Sequence, residues 1–395
     1  MNKDEKIEEV LTKGVVQVLP KKQALAKLMR KRKIRVYLGI DPTGSNIHIG
    51  HAVVLHKLKQ FQDLGHEVIL LFGTFTAQIG DPSGRDKKRE PLTLKQVKEN
   101  IAAYKKQASK ILNISKIKIK QNNDWLGKLK FSDLAEIGSH FTTARLLERS
   151  MFQNRLKKGG EVWLNELLYP LMQGYDSVAM NVDLEVGGTD QLFNMIVGRK
   201  LQKIFNNKEK FVLTIPMLTG LDGKEMSQTY GNMINLTDKP NDMFGKVMSL
   251  KDELIIHYFE LCTDVAMNEI KKMEKNLKAK KVNPKDLKVK LAKEIVKIYH
   301  SQSAANNAEK EFERVFKKKK LPSKIKEVKV SKKEIDILEL LVGLKLVSSK
   351  LEAKRLIEQN AVKIDGSLKN DWKEIIKIKK GMVVKVGKRK FAKIS

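Results

Sequence analysis

The chain of 395 residues carries a single cysteine, Cys262, so it has no internal disulfide and no cysteine-built zinc site. It lacks any run of about 18 apolar residues, which excludes a simple membrane-spanning helix. The first residues, Met1-Asn2-Lys3-Asp4-Glu5, are polar and mixed in charge and lack the apolar core of a secretory signal. A reducing cytoplasm and no membrane partner are expected. No internal repeat or sustained low-complexity tract is present. Acidic residues are scarce: 46 Asp and Glu stand against 78 Lys and Arg, a formal net charge of +32. Such an excess suits a polyanionic partner, although coding bias toward Lys, Ile and Asn also supplies it. Its location therefore weighs more than its sum. Lys317-Lys318-Lys319-Lys320 and the segment beyond are especially basic.

What is present is an alternation of short apolar runs and helical spacings. Residues 1–33 read as a polar helical lead-in ending in Lys27, Arg30, Lys31, Arg32 and Lys33. Arg35 to Ile40 is an apolar run bounded by Gly and Pro, hence a strand. From Gly50 to Leu64, apolar residues recur at Val53, Val54, Leu58, Phe61 and Leu64, and Gly65 ends that helix. Val68 to Phe72 reads as a buried strand, 93–112 as a helix, and Ile117 to Lys120 as an edge strand. Glu166 to Met180 looks helical, Val182 to Val186 extended, Gly188 to Ile204 helical, and Phe211 to Ile215 extended. This α/β alternation predicts a Rossmann-type parallel sheet with right-handed crossovers. Residues 238–316 are wholly helical in pattern, Pro322 marks a linker, and 330–395 form a small α+β unit. The expected domains are 1–235, with an insertion at about 126–165, then 236–326 and 330–395.

The segment Gly39-Ile40-Asp41-Pro42-Thr43-Gly44-Ser45-Asn46-Ile47-His48-Ile49-Gly50-His51 leads from a strand into a helix. It sets two imidazoles around a glycine at the helix start. Unsatisfied N–H groups and the positive end of the helix dipole suit a phosphate there. Imidazole N–H groups add further donors. A nucleotide at the carboxyl edge of the sheet is the ligand this pattern predicts. Tyr169, Gln173 and Asp176 recur at i, i+4 and i+7 and so share a helix face beside Leu167, Leu168 and Leu171. Burying them is costly unless they are paired. A solvated face, a self-satisfied network, or a ligand with an ammonium at one end and a hydroxyl at the other would each meet that need. His56, His66, His140, His257 and His300 have no motif around them and read as structural.

The opening segment resembles the HIGH signature of class I aminoacyl-tRNA synthetases. Ile79-Gly80-Asp81-Pro82-Ser83-Gly84-Arg85, Tyr169-Pro170-Leu171-Met172-Gln173-Gly174-Tyr175-Asp176, Gly187-Gly188-Thr189-Asp190-Gln191 and Gly220-Leu221-Asp222-Gly223 then follow in the order found in bacterial tyrosyl-tRNA synthetases. The resemblance covers nearly the whole chain. It implies a tyrosine–tRNA ligase using ATP with Mg²⁺, and no metal site of the protein's own. It places Asp81, Tyr169 and Gln173 on the tyrosine ammonium, and Tyr37 and Asp176 on the phenol. Gln191 falls near the carboxylate, with Asn122 behind the pocket. Asp41, Thr43, Gly50, Gly188 and Asp190 fall beside ATP, with Arg85 and Arg89 reaching its phosphates. His48 and His51 stabilise charge on those phosphates. The partners implied are tRNA(Tyr), tyrosine, ATP and a second copy of the chain, joined through residues 126–165.

One segment departs from the family. Its mobile loop, Lys-Met-Ser-Lys-Ser, corresponds here to Glu225-Met226-Ser227-Gln228-Thr229, with Lys224 one residue upstream. A glutamate repels a triphosphate, and a glutamine donates hydrogen bonds without charge. The expectation is a shifted loop in which Lys224, Gln228, Thr229, Met226 and Ser227 serve ATP. In the C-terminal unit, Ser349, Lys350, Lys354 and Arg355 match the phosphate-contacting side of a small RNA-binding module shared with a ribosomal protein and pseudouridine synthases. The competing readings are a tryptophan-specific relative, a small-molecule nucleotidylyltransferase, and a synthetase-derived RNA-binding protein with a decayed loop.

Overall fold

The structure, a computed structural model, describes residues 2–83, 92–226, 231–317, 325–387 and 390–395. Two compact units divide them: residues 1–238 with 246–301, and residues 239–245 with 302–395.

The first unit is built on a six-stranded sheet: β1 (Gln17–Leu19), β2 (Arg35–Ile40), β3 (Glu67–Phe72), β4 (Lys118–Gln121), β5 (Leu184–Gly188) and β6 (Phe211–Ile215), in the order β1-β6-β5-β2-β3-β4. Strands β2 to β6 pair in parallel, and β1 runs antiparallel to β6 at one edge. The central strands are buried along most of their length, as covering both faces of a parallel sheet requires. Helices α1 (Lys3–Val10), α2 (Lys22–Lys31), α3 (Ile49–Asp63) and α4 (Leu94–Ala108) accompany the first strands. The chain leaves β2 toward β3 and β4 on one side, and β5 toward β6 on the other. The gap between the ends of β2 and β5 is therefore the topological switch point, where such sheets bind ligands.

Short helices α5 (Asn123–Leu126), α6 (Phe131–Ser139), α7 (Thr143–Leu147) and α8 (Ser150–Lys157) make up the insertion before α9 (Leu164–Met180). Helix α9 packs on α10 (Leu192–Asn206) at close range. Glycine permits that approach: a Cβ at Gly174 would stand 2.9 Å from Leu201 and Val197. Helices α11 (Pro240–Met248), α12 (Ile255–Cys262), α13 (Met267–Lys278), α14 (Pro284–Tyr299) and α15 (Gln302–Phe312) fill the wholly helical stretch.

Two local expectations change. The lead-in is not helical throughout, because Gln17–Leu19 joins the sheet edge, and three half-buried residues are too few to display a period. The fifth strand runs Leu184–Gly188 rather than 182–186, and a 3₁₀ turn at Thr189–Gln191 precedes α10.

The second unit holds a five-stranded sheet of β7 (Lys326–Val328), β9 (Val362–Ile364), β10 (Ser367–Lys369), β12 (Val383–Val386) and β13 (Lys390–Ile394), with a two-stranded pairing of β8 (Glu334–Asp336) and β11 (Ile375–Lys377). Helices α16 (Ile337–Gly343) and α17 (Lys350–Glu358) cover it, and Leu340, Leu341, Ala353, Ile357, Val362 and Val384 form its own core.

Candidate active site

A cavity of about 550 Å³ opens at the switch point. Its walls include Asp41, Thr43, His48, Gly50, His51, Asp81, Tyr169, Gln173, Asp176, Gly188, Asp190, Gln191 and Met226. Residues from five separate stretches of sequence thus share one space. Its wall carries six carboxylates, from Asp41, Asp81, Asp176, Glu185, Asp190 and Glu225, and no lysine or arginine among the described residues. Such a wall favours a ligand that carries a positive group.

His48 caps α3 with its own ring. Its Nδ1 accepts the Gly50 N–H at 3.2 Å, and the Nδ1 of His51 faces the His48 N–H at 3.4 Å. The two rings lie 3.9 Å apart. Burial, with the neighbouring His51, pushes His48 down to about 3, and burial pushes His51 down to about 4. Both are neutral at physiological pH, and each Nδ1 is an acceptor, so each Nε2 carries the hydrogen. The helix start thus presents fixed donors without a cation. A Cβ at Gly50 would lie 3.0 Å from the His48 ring and 3.2 Å from Met226 Sδ, so only glycine lets the loop at 226 approach.

At one end of the cavity Asp81 accepts the Ser83 N–H and the Gln191 side-chain amide, at 2.9 and 2.8 Å. Gln191 also donates to Asp190 at 3.0 Å. Burial, then the Asp81 charge, raises the Asp190 carboxyl above its usual range. Tyr169 donates its hydroxyl to Asp41 at 2.9 Å, and burial pushes that phenol well up, so it stays protonated. Asp41 accepts in turn from Thr76 at 2.7 Å.

At the other end Asp176, 2% exposed, accepts the Trp125 indole N–H at 2.8 Å and the Asn122 amide at 3.3 Å. Burial raises its pKa well above the usual value while those two donors oppose the rise. Asn122 lies beneath the wall, where its carbonyl also holds the Phe75 N–H at 2.8 Å. Tyr37 is wholly buried below the floor, with its hydroxyl 2.9 Å from Ser177 Oγ.

Lys224 is exposed, its N–H on Asp222 and its carbonyl accepting Gly220 N–H. It is absent from the cavity wall, whereas Glu225 belongs to it. Ser227, Gln228, Thr229, Arg85 and Arg89 lie outside the described residues. Ser349 caps α17 through the Glu352 N–H at 3.1 Å, Lys350 and Arg355 are exposed, and the Lys354 ammonium sits 4.2 Å from the Trp372 ring centroid.

Sequence reasoning missed several participants. Glu185 and Lys210 form a buried ion pair under the floor. Arg149, 9% exposed, donates to Ser83 Oγ at 2.7 Å and stacks on Phe152 and Phe193. Asn194, wholly buried, donates to Gln173 Oε1 at 2.8 Å. The one available signal was a charged residue, Glu185, inside an otherwise apolar strand.

Comparison with known proteins places this geometry. Residues 29–317 match the family model of class I tRNA synthetases for tryptophan and tyrosine, and 311–394 match the C-terminal domain model of tyrosine–tRNA ligases. The chain is 45% identical over 388 residues to a tyrosine–tRNA ligase of Thermotoga maritima, covering 98% of this chain and 96% of the relative. Against the Carboxydothermus hydrogenoformans tyrosine–tRNA ligase it is 45% identical over 397 residues, with 98% and 97% covered. Among solved structures, a truncated mitochondrial tyrosyl-tRNA synthetase of Aspergillus nidulans superposes with a TM-score of 0.66 at 24% identity, over 80% of this chain and 94% of that one. A tyrosine-bound tyrosyl-tRNA synthetase of Archaeoglobus fulgidus gives 0.62 at 22% identity, over 78% and 100%. These two likenesses concern the fold.

Proposed function

Since this chain belongs to the tyrosine–tRNA ligases of the class I synthetases, we propose that the cavity at the switch point holds tyrosine and ATP together and that its residues divide the work as follows. The activity is tyrosine–tRNA ligation with ATP as substrate. The tyrosine ammonium meets Asp81, the Tyr169 oxygen and the Gln173 carbonyl. The phenol lies at Asp176 and above Tyr37. ATP lies along the α3 N-terminus, over Gly188, with Asp41, Thr43, Asp190 and Gln191 beside the ribose and the tyrosine carboxylate. The observation that carries this reading is that one cavity wall brings together two acceptors, Asp81 holding Gln191 and Asp176 holding Trp125 and Asn122.

The tyrosine carboxylate attacks the α-phosphorus, a P–O bond forms, and pyrophosphate leaves, giving tyrosyl-adenylate. The ribose hydroxyl at the 3′ end of tRNA(Tyr) then attacks the tyrosyl carbonyl, and AMP leaves. No protein nucleophile is required. His48 and His51 donate Nε2–H to phosphate oxygens as charge develops, already oriented by their caps. Magnesium would enter with ATP as its counter-ion, as part of the substrate. Lys224, one residue before Glu225, replaces the family's loop lysines, helped by Arg85 and Arg89.

Residues 1–235 carry activation, 236–326 the anticodon side and 330–395 further RNA contacts through Ser349, Lys350, Lys354 and Arg355. A homodimer forms through the insertion at 126–165, where Phe131 is 88% exposed and Leu164, the first residue of α9, 71% exposed. The setting is the cytoplasm; no described helix is long and apolar enough to cross a membrane. Amino-acid-dependent ATP–pyrophosphate exchange tests the site. Tyrosine supports exchange, and tryptophan and phenylalanine do not. Equal exchange with tryptophan would overturn the phenol assignment.

A further inference from the structure

Under the cavity floor four buried side chains from four elements touch. Lys210 is wholly buried, just before β6, and its three N–H groups are all used: on Glu185 Oε2, on Ser177 Oγ at 2.7 Å and on the Met195 carbonyl at 3.3 Å. Glu185 accepts on its other oxygen from Gln173 Nε2 at 3.2 Å. Ser177, also wholly buried, touches Tyr37. Space for this cluster comes from Gly198, where a Cβ would stand 2.5 Å from Lys210 Nζ.

Each contact has a direction. An ammonium only donates, so Ser177 Oγ accepts from Lys210. The Ser177 oxygen keeps a second lone pair, but its hydrogen has no acceptor other than the Tyr37 oxygen among the described contacts, so that contact runs from Ser177 to Tyr37. Tyr37 accepts from below, and its own hydrogen points away from Ser177. Burial, with the charges of Glu185 and Asp176, holds that phenol protonated. Glu185 lies close enough to compete for that hydrogen, but Lys210 and Gln173 already donate to its two oxygens. On the other branch a carboxylate only accepts, so the Gln173 amide must present NH₂ to Glu185. Its carbonyl is thereby turned toward Asn194 and the cavity.

We propose that Lys210 is a positioning and specificity-determining residue: paired with Glu185, it sets the hydrogen-bond polarity at both ends of the tyrosine pocket, making Tyr37 a donor to the substrate phenol and Gln173 an acceptor for the substrate ammonium. This rests on the assignment of Tyr37 and Gln173 given above. The substrate phenol donates to Asp176 and accepts from Tyr37, so phenylalanine would leave the Tyr37 hydrogen without an acceptor and Asp176 short of one donor in a dry site.

The test is a double-mutant cycle on the full-length protein, read as the ratio of kcat/KM for tyrosine over phenylalanine in pyrophosphate exchange. Tyr37→Phe lowers that ratio about 10-fold or more. Lys210→Met lowers it comparably, and Tyr37→Phe with Lys210→Met lowers it no further than Tyr37→Phe alone. Ser177→Ala keeps the ion pair, which guards against a failure of Lys210→Met to fold, and gives the same loss and the same non-additivity. Affinity for the desamino analogue 3-(4-hydroxyphenyl)propionate separates the branches: preference for tyrosine over it narrows in Lys210→Met and is kept in Ser177→Ala. If Tyr37→Phe leaves the ratio unchanged, the phenol assignment fails and the proposal with it. If Tyr37→Phe collapses the ratio while Lys210→Met and Ser177→Ala keep it, or the losses multiply, the proposal alone is overturned.

Discussion

His48 Nδ1 accepts the N–H of Gly50 at 3.2 Å, so one imidazole both starts α3 and turns its Nε2–H outward. The two jobs can be separated. In His48→Ser the hydroxyl oxygen still accepts from the Gly50 N–H, as good N-caps do. It is too short to replace the outer donor. Removing one preorganised donor to developing charge costs about 10²-fold in rate. The expected result is a pyrophosphate-exchange rate lower by about that factor, with tyrosine affinity by equilibrium dialysis within about 2-fold of the parent. Tyrosine affinity falling in step with the rate would remove His48 from the phosphate side.

Acid should destabilise the fold through its buried histidines. Burial lowers His51, His56 and His66 to about 4 each, against an unfolded value of about 6.5. Between those limits the unfolded chain binds protons that the native one refuses. Their contribution to stability is thus present above about pH 6.5 and lost as pH falls toward 4. His56 makes a 2.9 Å hydrogen bond to Tyr299 and lies away from the cavity wall. His56→Gln should flatten the decline of the urea midpoint between pH 7 and 5. An unaltered slope would assign that decline to other groups.

How much of this was legible in the sequence depends on distance along the chain. The β2 to α3 turn was readable because its apolar run, its glycines and its helix period lie within thirty residues. Tyr169, Gln173 and Asp176 were readable because a helix repeats its face every 3.6 residues. Lys210 and Glu185 were not, because their meeting depends on the parallel register of β5 and β6, which sets Glu185 beside Val212. A sequence pattern does not state which strands are neighbours. Arg149 was hidden similarly: its partner Ser83 is 66 positions away, and a single arginine in a polar insertion reads as surface. The Gln17–Leu19 strand was lost for want of length.

The loop departure makes a prediction of opposite signs at adjacent residues. Glu225 belongs to the cavity wall, and Lys224 points into solvent. A carboxylate near a triphosphate raises the KM for ATP, and a lysine lowers it, with each exposed charge worth about 1 kcal/mol at roughly 4 Å in water. Glu225→Lys should lower KM for ATP several-fold, and Lys224→Ala should raise it and slow exchange more than it weakens tyrosine binding. If Lys224→Ala exchanges at the parental rate, Lys224 has no phosphate role.

Residues 330–395 carry their own core, which includes Leu340, Leu341, Ile357 and Val384. Deleting them should spare tyrosine activation and reduce tRNA charging at least about 10-fold. RNA binding should also become less sensitive to salt, because each lost phosphate contact lowers the slope of log K against log salt by about 0.9 for duplex and about 0.7 for single strands. Charging at the parental level with an unaltered salt slope would confine RNA recognition to residues before 330.

Asp176 accepts from two protein donors, and they make a sharp test of its proposed place at the substrate phenol. Trp125 Nε1 and Asn122 Nδ2 both present N–H to it. Asp176→Asn keeps the shape but provides only one acceptor oxygen, so an amide N–H must face another donor or the substrate phenol. A buried donor left without a partner costs about 1–3 kcal/mol, roughly 5- to 150-fold in an equilibrium constant. Tyrosine affinity should fall within that range, phenylalanine affinity should hold or rise, and the ATP KM should stay put, with the nucleotide along the α3 N-terminus as proposed. Isothermal titration with each amino acid reads the first two, and exchange kinetics the third. Equal losses for tyrosine and phenylalanine would mean that Asp176 props the wall through Trp125 and Asn122 and never touches the ring hydroxyl.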